Sequence, residues 1–554
     1  RTRVLSVTLS RIYTYMFNDG RSSFSPQLSV VVQAPPYRVH RLQRAMAGIP
    51  TPKRRVAILG AGPSGLSACK AALEEGLQPT IFEQAVGVGG LWRQDESGKV
   101  WRSLRTNLSK YTCAFSDTPW PGDAPDFVGG SEVQQYLEDF ASRHGLLDCL
   151  RTGCRTTHVE RAGEGVGETA GPWTVTWETC QDGQKSSSSE SFEFVIVATG
   201  IFSRPSIDMA CVASSTSRVT HAASYRDPEE FRGERVLVIG AAFSGADIAV
   251  ELASTAASVT VAAKRPVWYL PRYLGGRPTD LAFYSRASHD KGKGISEADR
   301  NSRRHTFFAS IVGDVPSSIR LPRQADGDLP FVAITDHFPA AVLDGRLEVL
   351  CVQVTHLDGK AAFFSDGSSQ EYDAVIFATG YQLDLPFLSD DLRTVIEFNP
   401  ADLLQPAILH ESVWRPELPG LAFVGLYRGP FFAAMELQAR WACGVFSGRL
   451  APPSAEEVER GLQTERQIRK QQPRPQFPHG DYVGMTEALA HHVGVHPASA
   501  LNARTMPETS DAELGRLLYD GPLLPFHYRL EGFKAKPDVA RAAIMECAQR
   551  YPVP

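Results

Sequence analysis

The 554-residue chain lacks long hydrophobic runs. No window of about 18 apolar residues occurs, which argues against a transmembrane helix. It also lacks an excess of positive charge. The formal net charge is −5, and no basic stripe interleaved with aromatics is found, so there is no electrostatic case for a nucleic-acid partner. Cysteine is sparse: nine are scattered along the chain, an odd number that argues against a secreted disulfide framework and for a reducing compartment. Cys149 and Cys154 form a C-x4-C that reads as two structural thiols. Also missing are a Ser/His/Asp set, a pair of carboxylates for acid–base work and a metal-ligand cluster. His491, His492 and His496 come nearest to the last, with His492 and His496 one helical turn apart. No neighbouring carboxylate or cysteine completes that set, so these histidines read as solvated and no metal is expected.

What is present is a soluble globular composition, 43% hydrophobic and 21% charged, with length for two or three domains. The chain is organised around residues 55–92. Val56 to Leu59 form an apolar run without polar alternation, as in a buried parallel strand. Gly60, Gly62 and Gly65 follow, with Pro63 and Ser64 between them, leading into an Ala/Leu-rich helix from Ser64 through Glu75 that Gly76 closes. A second strand, Thr80 to Phe82, ends on Glu83, 23 residues after Gly60. Gly60 permits the tight turn, Gly62 lets backbone N–H groups reach a pyrophosphate, and Gly65 lets the helix pack close to its strand. Glu83 stands where a carboxylate accepts hydrogen bonds from a ribose 2′-hydroxyl. Gly89, Gly90, Leu91 and Trp92 again bring backbone close to something bound.

A second nucleotide fold begins at the Arg235 to Ile239 strand, turns through Gly240, Ser244 and Gly245 into the helix Ala246 to Ala253, and continues in the strand Ser258 to Ala262. Here Lys264 and Arg265 lie 24 and 25 residues after Gly240. An acid at that place would repel a 2′-phosphate, and two cations attract one. The first fold is therefore expected to hold FAD and the second NADPH. Ala242 stands where the middle glycine belongs, and its Cβ is expected to weaken NADPH binding without abolishing it. Two apolar strands end in A-T-G, at Ala198-Thr199-Gly200 and Ala378-Thr379-Gly380, as if one sheet were resumed after an insertion. The expected class is α/β, with two Rossmann-like dinucleotide-binding domains, the FAD domain discontinuous and the NADPH domain inserted in it. The expected divisions are an FAD part over 51–228, an NADPH part over 229–340, a second FAD part over 341–450 and a helical region over 451–554.

Ser131 to His144 reads as an amphipathic helix capped by Ser131, burying Val133, Tyr136, Leu137 and Phe140. Trp173 to Trp177 reads as a surface strand followed by a loop, Gln181 to Glu190, whose serine run is a flexible turn. Residues 1–50 hold seven arginines and one acid, Asp19. That composition suits an organelle transit peptide, or an untranslated stretch before a start at Met46.

With both folds placed, the sequence resembles the flavin-containing monooxygenases, the N- and S-oxygenating kind, from about Arg55 to Cys547. The carriers are G-A-G-P-S-G at 60–65, G-G-L-W at 89–92, T-N-L-S-K at 106–110 and F-S-D-T-P-W-P at 115–121. They continue with H-A-A-S-Y-R at 221–226, W-Y-L-P-R at 268–272, F-A-T-G-Y at 377–381 and E-L-Q-A-R-W at 436–441. Positions 215–217 are Ser-Thr-Ser where an F-x-G usually precedes the histidine motif, and the apolar tail of vertebrate members has no counterpart. The resemblance implies that NADPH reduces FAD and that O2 adds at flavin C4a. The hydroperoxide then transfers oxygen to a small amine or sulfide. By the same resemblance Asn107 is the functional side chain beside the flavin, and Thr106 and Trp92 line that site. Lys264 and Arg265 take the 2′-phosphate, with Arg272 as a helper. A location in the cytoplasm or peripheral to the endoplasmic reticulum follows, with organelle import if residues 1–45 are translated, and a homodimer is compatible. A Baeyer–Villiger monooxygenase, an NADPH oxidase-like flavoprotein, a flavin disulfide reductase and a nucleotide-binding remnant disabled at Ala242 stay as alternatives.

Overall fold

Strands without polar alternation need cover on both faces, and this chain meets that need twice. The computed structural model describes residues 54–161, 172–181, 183–312, 329–429, 431–506 and 511–553. One five-stranded sheet has the order Leu421–Phe423, Phe194–Val197, Arg55–Leu59, Gln78–Phe82, Leu150–Arg151, all parallel. The other has the order Arg218–His221, Ala374–Phe377, Arg235–Ile239, Ser258–Ala262, Glu348–Leu350, also all parallel. Val56, Ala57 and Ile58 in the first and Val236, Leu237 and Val238 in the second are wholly buried.

The two A-T-G strands lie in different sheets, contrary to the expectation that one sheet resumes after an insertion. Phe194–Val197 belongs to the first sheet and Ala374–Phe377 to the second. The strand that returns to the first sheet is Leu421–Phe423. The chain passes between the folds through two short strands, Arg204–Pro205 and Tyr381–Gln382, which pair antiparallel with each other. All five strands of the second sheet lie between these two in sequence, from Arg218 to Phe377.

Other local differences have simple causes. The helix Gly130–Arg143 buries Val133, Tyr136, Leu137 and Phe140 as read, but its cap is Gly129, whose N–H is accepted by the Glu132 carboxylate at 2.6 Å. The serine run is strand: Gln184–Phe192 pairs antiparallel with Trp173–Gln181 at the edge of a three-stranded meander. Hydroxyl pairs across the strands, Thr176 with Ser189 at 2.8 Å and Thr179 with Ser186 at 2.7 Å, hold a polar sequence in the extended form.

The C-terminal helices Tyr482–Val493, Ala512–Asp520 and Pro537–Arg550 share one apolar core with the first fold, while Val458 and Leu462 of Ala455–Lys470 pack with Ile408 in a smaller cluster. Leu489, Leu517 and Ile544 belong to the same cluster as Val56, Leu66 and Leu437. Among the described residues no helix is long and apolar enough to cross a membrane.

A buried ionic cluster fastens this region. Glu436, on the helix Phe432–Ser447, accepts from Ser116 N at 2.8 Å and Ser116 Oγ at 2.6 Å, and pairs with Arg529 Nη2 at 2.8 Å. Burial pushes the Glu436 carboxyl up, but Arg529 and Lys70 outweigh it and hold the group below the usual carboxylate range. Removing one partner of such a pair leaves the other charge buried and uncompensated. Glu436→Ala is therefore expected to cost about 3–5 kcal/mol, measured by urea unfolding. A loss under about 1 kcal/mol would show that Arg529 finds other compensation.

Candidate functional site

The site begins where each central strand meets its helix. Gly60 has φ +103°, and a Cβ there would stand 2.7 Å from Ala198 O. A Cβ on Gly65 would meet Gly60 O at 1.9 Å, so the first turn of Pro63–Glu74 is pressed against the strand end with no room for a side chain. Glu83 follows the second strand, buried, with Oε2 accepting from Ala61 N at 2.7 Å and Oε1 from Ala85 N at 2.8 Å. The carboxylate is thus fixed against the glycine turn. Gly90 turns at φ +57°, and a Cβ there would come within 2.9 Å of Gly62 Cα. What the G-G-L-W backbone approaches closely is this turn itself.

The second turn repeats the first. Gly240 has φ +104° and its Cβ would stand 2.7 Å from Ala378 O, and a Cβ on Gly245 would meet Gly240 O at 1.9 Å. Ala242 caps the helix Phe243–Leu252 at φ −81°, ψ −163°, almost the values of Gly62, φ −78°, ψ −174°. That is extended backbone, so alanine adopts it without strain.

Both turns open on one cleft of about 2180 Å³. On the first side it is lined by Gly60, Gly62, Pro63, Ser64 and Glu83, with Gly90, Leu91 and Trp92 beside them. On the second side stand Gly240, Ala242, Ser244, Lys264 and Arg265. Thr106 and Asn107 line it too, as do Thr199, Gly200, Thr379 and Gly380. Gly65 and Gly245 do not; they serve the packing behind each turn. Lys264 and Arg265 are exposed, and the Arg265 guanidinium lies over the Phe331 ring, 4.4 Å from its centre. The cradles, with a fixed carboxylate at one and two cations at the other, fit FAD and NADPH respectively.

Arg272 departs from its expected role. It is buried, and its guanidinium is engaged on every side. Nε donates to Thr106 O at 3.2 Å, Nη1 to Asp336 at 3.1 Å, and Nη2 to both Asn107 Oδ1 and Asp247 at 3.1 Å. It holds Asn107 instead of a 2′-phosphate. With Oδ1 accepting, the Asn107 amide nitrogen is left as the donor.

Asp280 was not legible as a site residue, yet it anchors the T-N-L-S-K loop. Its Oδ2 accepts from Ser109 N at 3.0 Å and Ser109 Oγ at 2.7 Å. Asp247, Asp336 and Asp280 are far from Asn107 in sequence, so no spacing signal could reveal them. The far wall is aromatic: Tyr284, Phe431 and Tyr482 line the cleft, Phe431 stacked on Tyr482 at 4.0 Å. Tyr482 comes from the C-terminal helices, which therefore help build the site. All nine cysteines are unpaired. Cys154 lines the cleft beside Glu83, while Cys149 does not line it.

Two dinucleotide cradles opening on one cleft, one acidic and one cationic, define a dinucleotide-dependent oxidoreductase with two nucleotide folds. A family model described as "FMO-like: Flavin-binding monooxygenase-like" matches residues 53–554, and the chain belongs to that family. It is 33% identical over 518 residues to flavin-containing monooxygenase 5 of Oryctolagus cuniculus, covering 90% of this chain and 93% of the relative. Dimethylaniline monooxygenase [N-oxide-forming] 4 of Mus musculus is 30% identical over 511 residues, 89% of this chain and 86% of that one. The fold is shared with S-allyl-L-cysteine S-oxygenase from Allium sativum, at TM-score 0.58 and 22% identity over 90% of this chain and 99% of that one. It is shared also with cyclohexanone monooxygenase from Rhodococcus sp. Phi1 bound to NADP+, at TM-score 0.58 and 17% identity over 80% and 98%. The protein is an FAD- and NADPH-dependent monooxygenase.

The cationic pair makes the coenzyme preference testable. The double variant Lys264→Ala/Arg265→Ala should lose about 1.5–3 kcal/mol of NADPH binding for each charge-assisted contact removed, raising KM for NADPH at least tenfold. KM for NADH should hardly move. Equal losses for both coenzymes would show that the pair does not read the 2′-phosphate.

Proposed function

We propose that the first turn and Glu83 hold FAD, that the second turn with Lys264 and Arg265 holds NADPH, and that Asn107 serves the oxygen-transfer step. The observation that carries this reading is the contrast between the buried Glu83 carboxylate at one cradle and the exposed cations at the other, across one shared cleft. Glu83 accepts from a free ribose hydroxyl, and the N-termini of Pro63–Glu74 and Phe243–Leu252 present N–H groups to the two pyrophosphates. When bound, NADPH and FAD supply the hydride and the activation of O2.

The chain's own residues then have three tasks. Arg272 fixes the Asn107 carbonyl so that the amide N–H donates into the cleft. The aromatic wall of Tyr284, Phe431 and Tyr482 excludes water from the place where oxygen is transferred. The remaining cleft admits a small molecule bearing a soft nitrogen or sulfur nucleophile. No proton needs to be taken by a side-chain base from a neutral tertiary amine or a sulfide, which agrees with the lack of a catalytic dyad in the sequence.

Purified flavin-loaded protein should oxidise NADPH faster in the presence of tertiary amines or sulfides and yield N-oxide or sulfoxide. Hydrogen peroxide as the sole product with every such compound, or lactones from cyclic ketones in their place, would overturn the reading. Replacing Asn107 by Leu removes the donor and should lower oxygenated product by about 100-fold. NADPH consumption should continue, with its electrons appearing as hydrogen peroxide.

A further inference from the structure

The three C-terminal histidines separate in the folded chain. His491 and His496 stack on each other at 4.1 Å, and His496 Nε2 lies 2.9 Å from Glu487. His492 faces the other way, flat on Trp441 with ring centres 4.3 Å apart, and its Nδ1 approaches Glu457 Oε1 at 3.5 Å. His410, from the turn before the last strand of the first sheet, completes the group. One ligand atom from each of His410, Glu457 and His492 lies within 4.8 Å of the other two.

His410 is 4% exposed, and neither of its ring nitrogens has a hydrogen-bond partner. A buried imidazole with two unsatisfied nitrogens demands an explanation. Its ring lies against the helix Ala455–Lys470 so closely that a Cβ on Gly461 would meet His410 Nδ1 at 2.0 Å. Glu457 stands one turn earlier on that same helix face.

We infer that His410, Glu457 and His492 form a binding site for one divalent transition-metal ion of the zinc class. Two imidazoles select against Mg²⁺ and Ca²⁺, which prefer all-oxygen shells. Zinc takes such N,N,O sets at about 2.0–2.2 Å. Glu457 and His492 are partly exposed, so a water completes a tetrahedron from the solvent side, and Glu457 can rotate to close the distances. None of the three lines the nucleotide cleft, so the ion would act as a clamp. It would tie Ala455–Lys470 and Tyr482–Val493 to the His410 turn, and with them the C-terminal wall of the cleft.

The test uses the full chain, stripped with chelator and then titrated with ZnCl2 and, separately, CoCl2. One zinc per chain should survive desalting, and the thermal midpoint should rise with added zinc. The cobalt form should show d–d bands of a nitrogen–oxygen site without a thiolate charge-transfer band, which separates this site from the cysteines. His410→Ala removes the buried ligand but endangers folding. Glu457→Gln and His492→Gln, at partly exposed positions, are the decisive variants, and each should weaken zinc at least 100-fold and abolish the thermal shift. Absence of stoichiometric metal, a thiolate band, or zinc affinity that survives both variants would overturn the assignment.

Discussion

A glycine carbonyl with no room for a Cβ above it is the contact on which the arrangement depends, and it occurs twice with the same dimensions. Gly60 O with Gly65, and Gly240 O with Gly245, each leave 1.9 Å to the position a Cβ would occupy. The contact starts each helix directly at the end of its central strand, so the helix N-terminus and its free N–H groups stand at the sheet's carboxyl edge. Each turn also presses on the alanine of its own A-T-G segment. Once both edges open on one cleft, the cradles differ in charge: a carboxylate is locked against the first, and two exposed cations stand at the second.

The motifs that carried the family resemblance divide by location. F-S-D-T-P-W and E-L-Q-A-R-W lie behind the site, where they bind each other. Ser116 and Glu436 meet, Arg529 bridges them, and Asp117 pairs with Lys70 at 3.0 Å and Lys536 at 2.7 Å. Burial alone would raise Asp117, but Lys70 and Arg529 bring it well below the carboxylate range. Arg440 of the same motif donates to Tyr528 O at 2.9 Å and Phe533 O at 2.8 Å. Such a network is costly when incomplete, because every member is desolvated. These segments therefore fasten the C-terminal region and do not line the cleft.

This explains which parts of the molecule were legible. Strand, glycine turn, helix and terminal charge are contiguous in sequence, so both cradles and their opposite charges could be read from 60–83 and 240–265. Sheet membership is not contiguous. The A-T-G repeat was visible, but its cause, one alanine under each glycine turn, requires one copy per sheet and not two in one. Polarity misled at Ser186–Ser189, because an edge strand with hydroxyl partners needs no apolar face. The aspartates around Arg272, and the meeting of His410 with Glu457 and His492, arise from segments that only the tertiary fold brings together.

Arg272 shows how the two halves act as one site. Its guanidinium holds Asn107 and the Thr106 carbonyl, which stand beside the first cradle, and Asp247, one turn into the helix of the second. Burial raises the Asp247 carboxyl while Arg272 opposes the shift, so the pair is tied by charge as well as geometry. The chain itself crosses between the folds through two short antiparallel strands, and Trp101 Nε1 and Arg102 Nη1 donate across to Glu251 at 2.8 Å and Asp227 at 2.6 Å. The position of the Asn107 amide is consequently set by both nucleotide folds at once. A displacement of the second cradle relative to the first must either carry Asn107 with it or strip a buried cation of its carboxylates, and the second course is the more expensive.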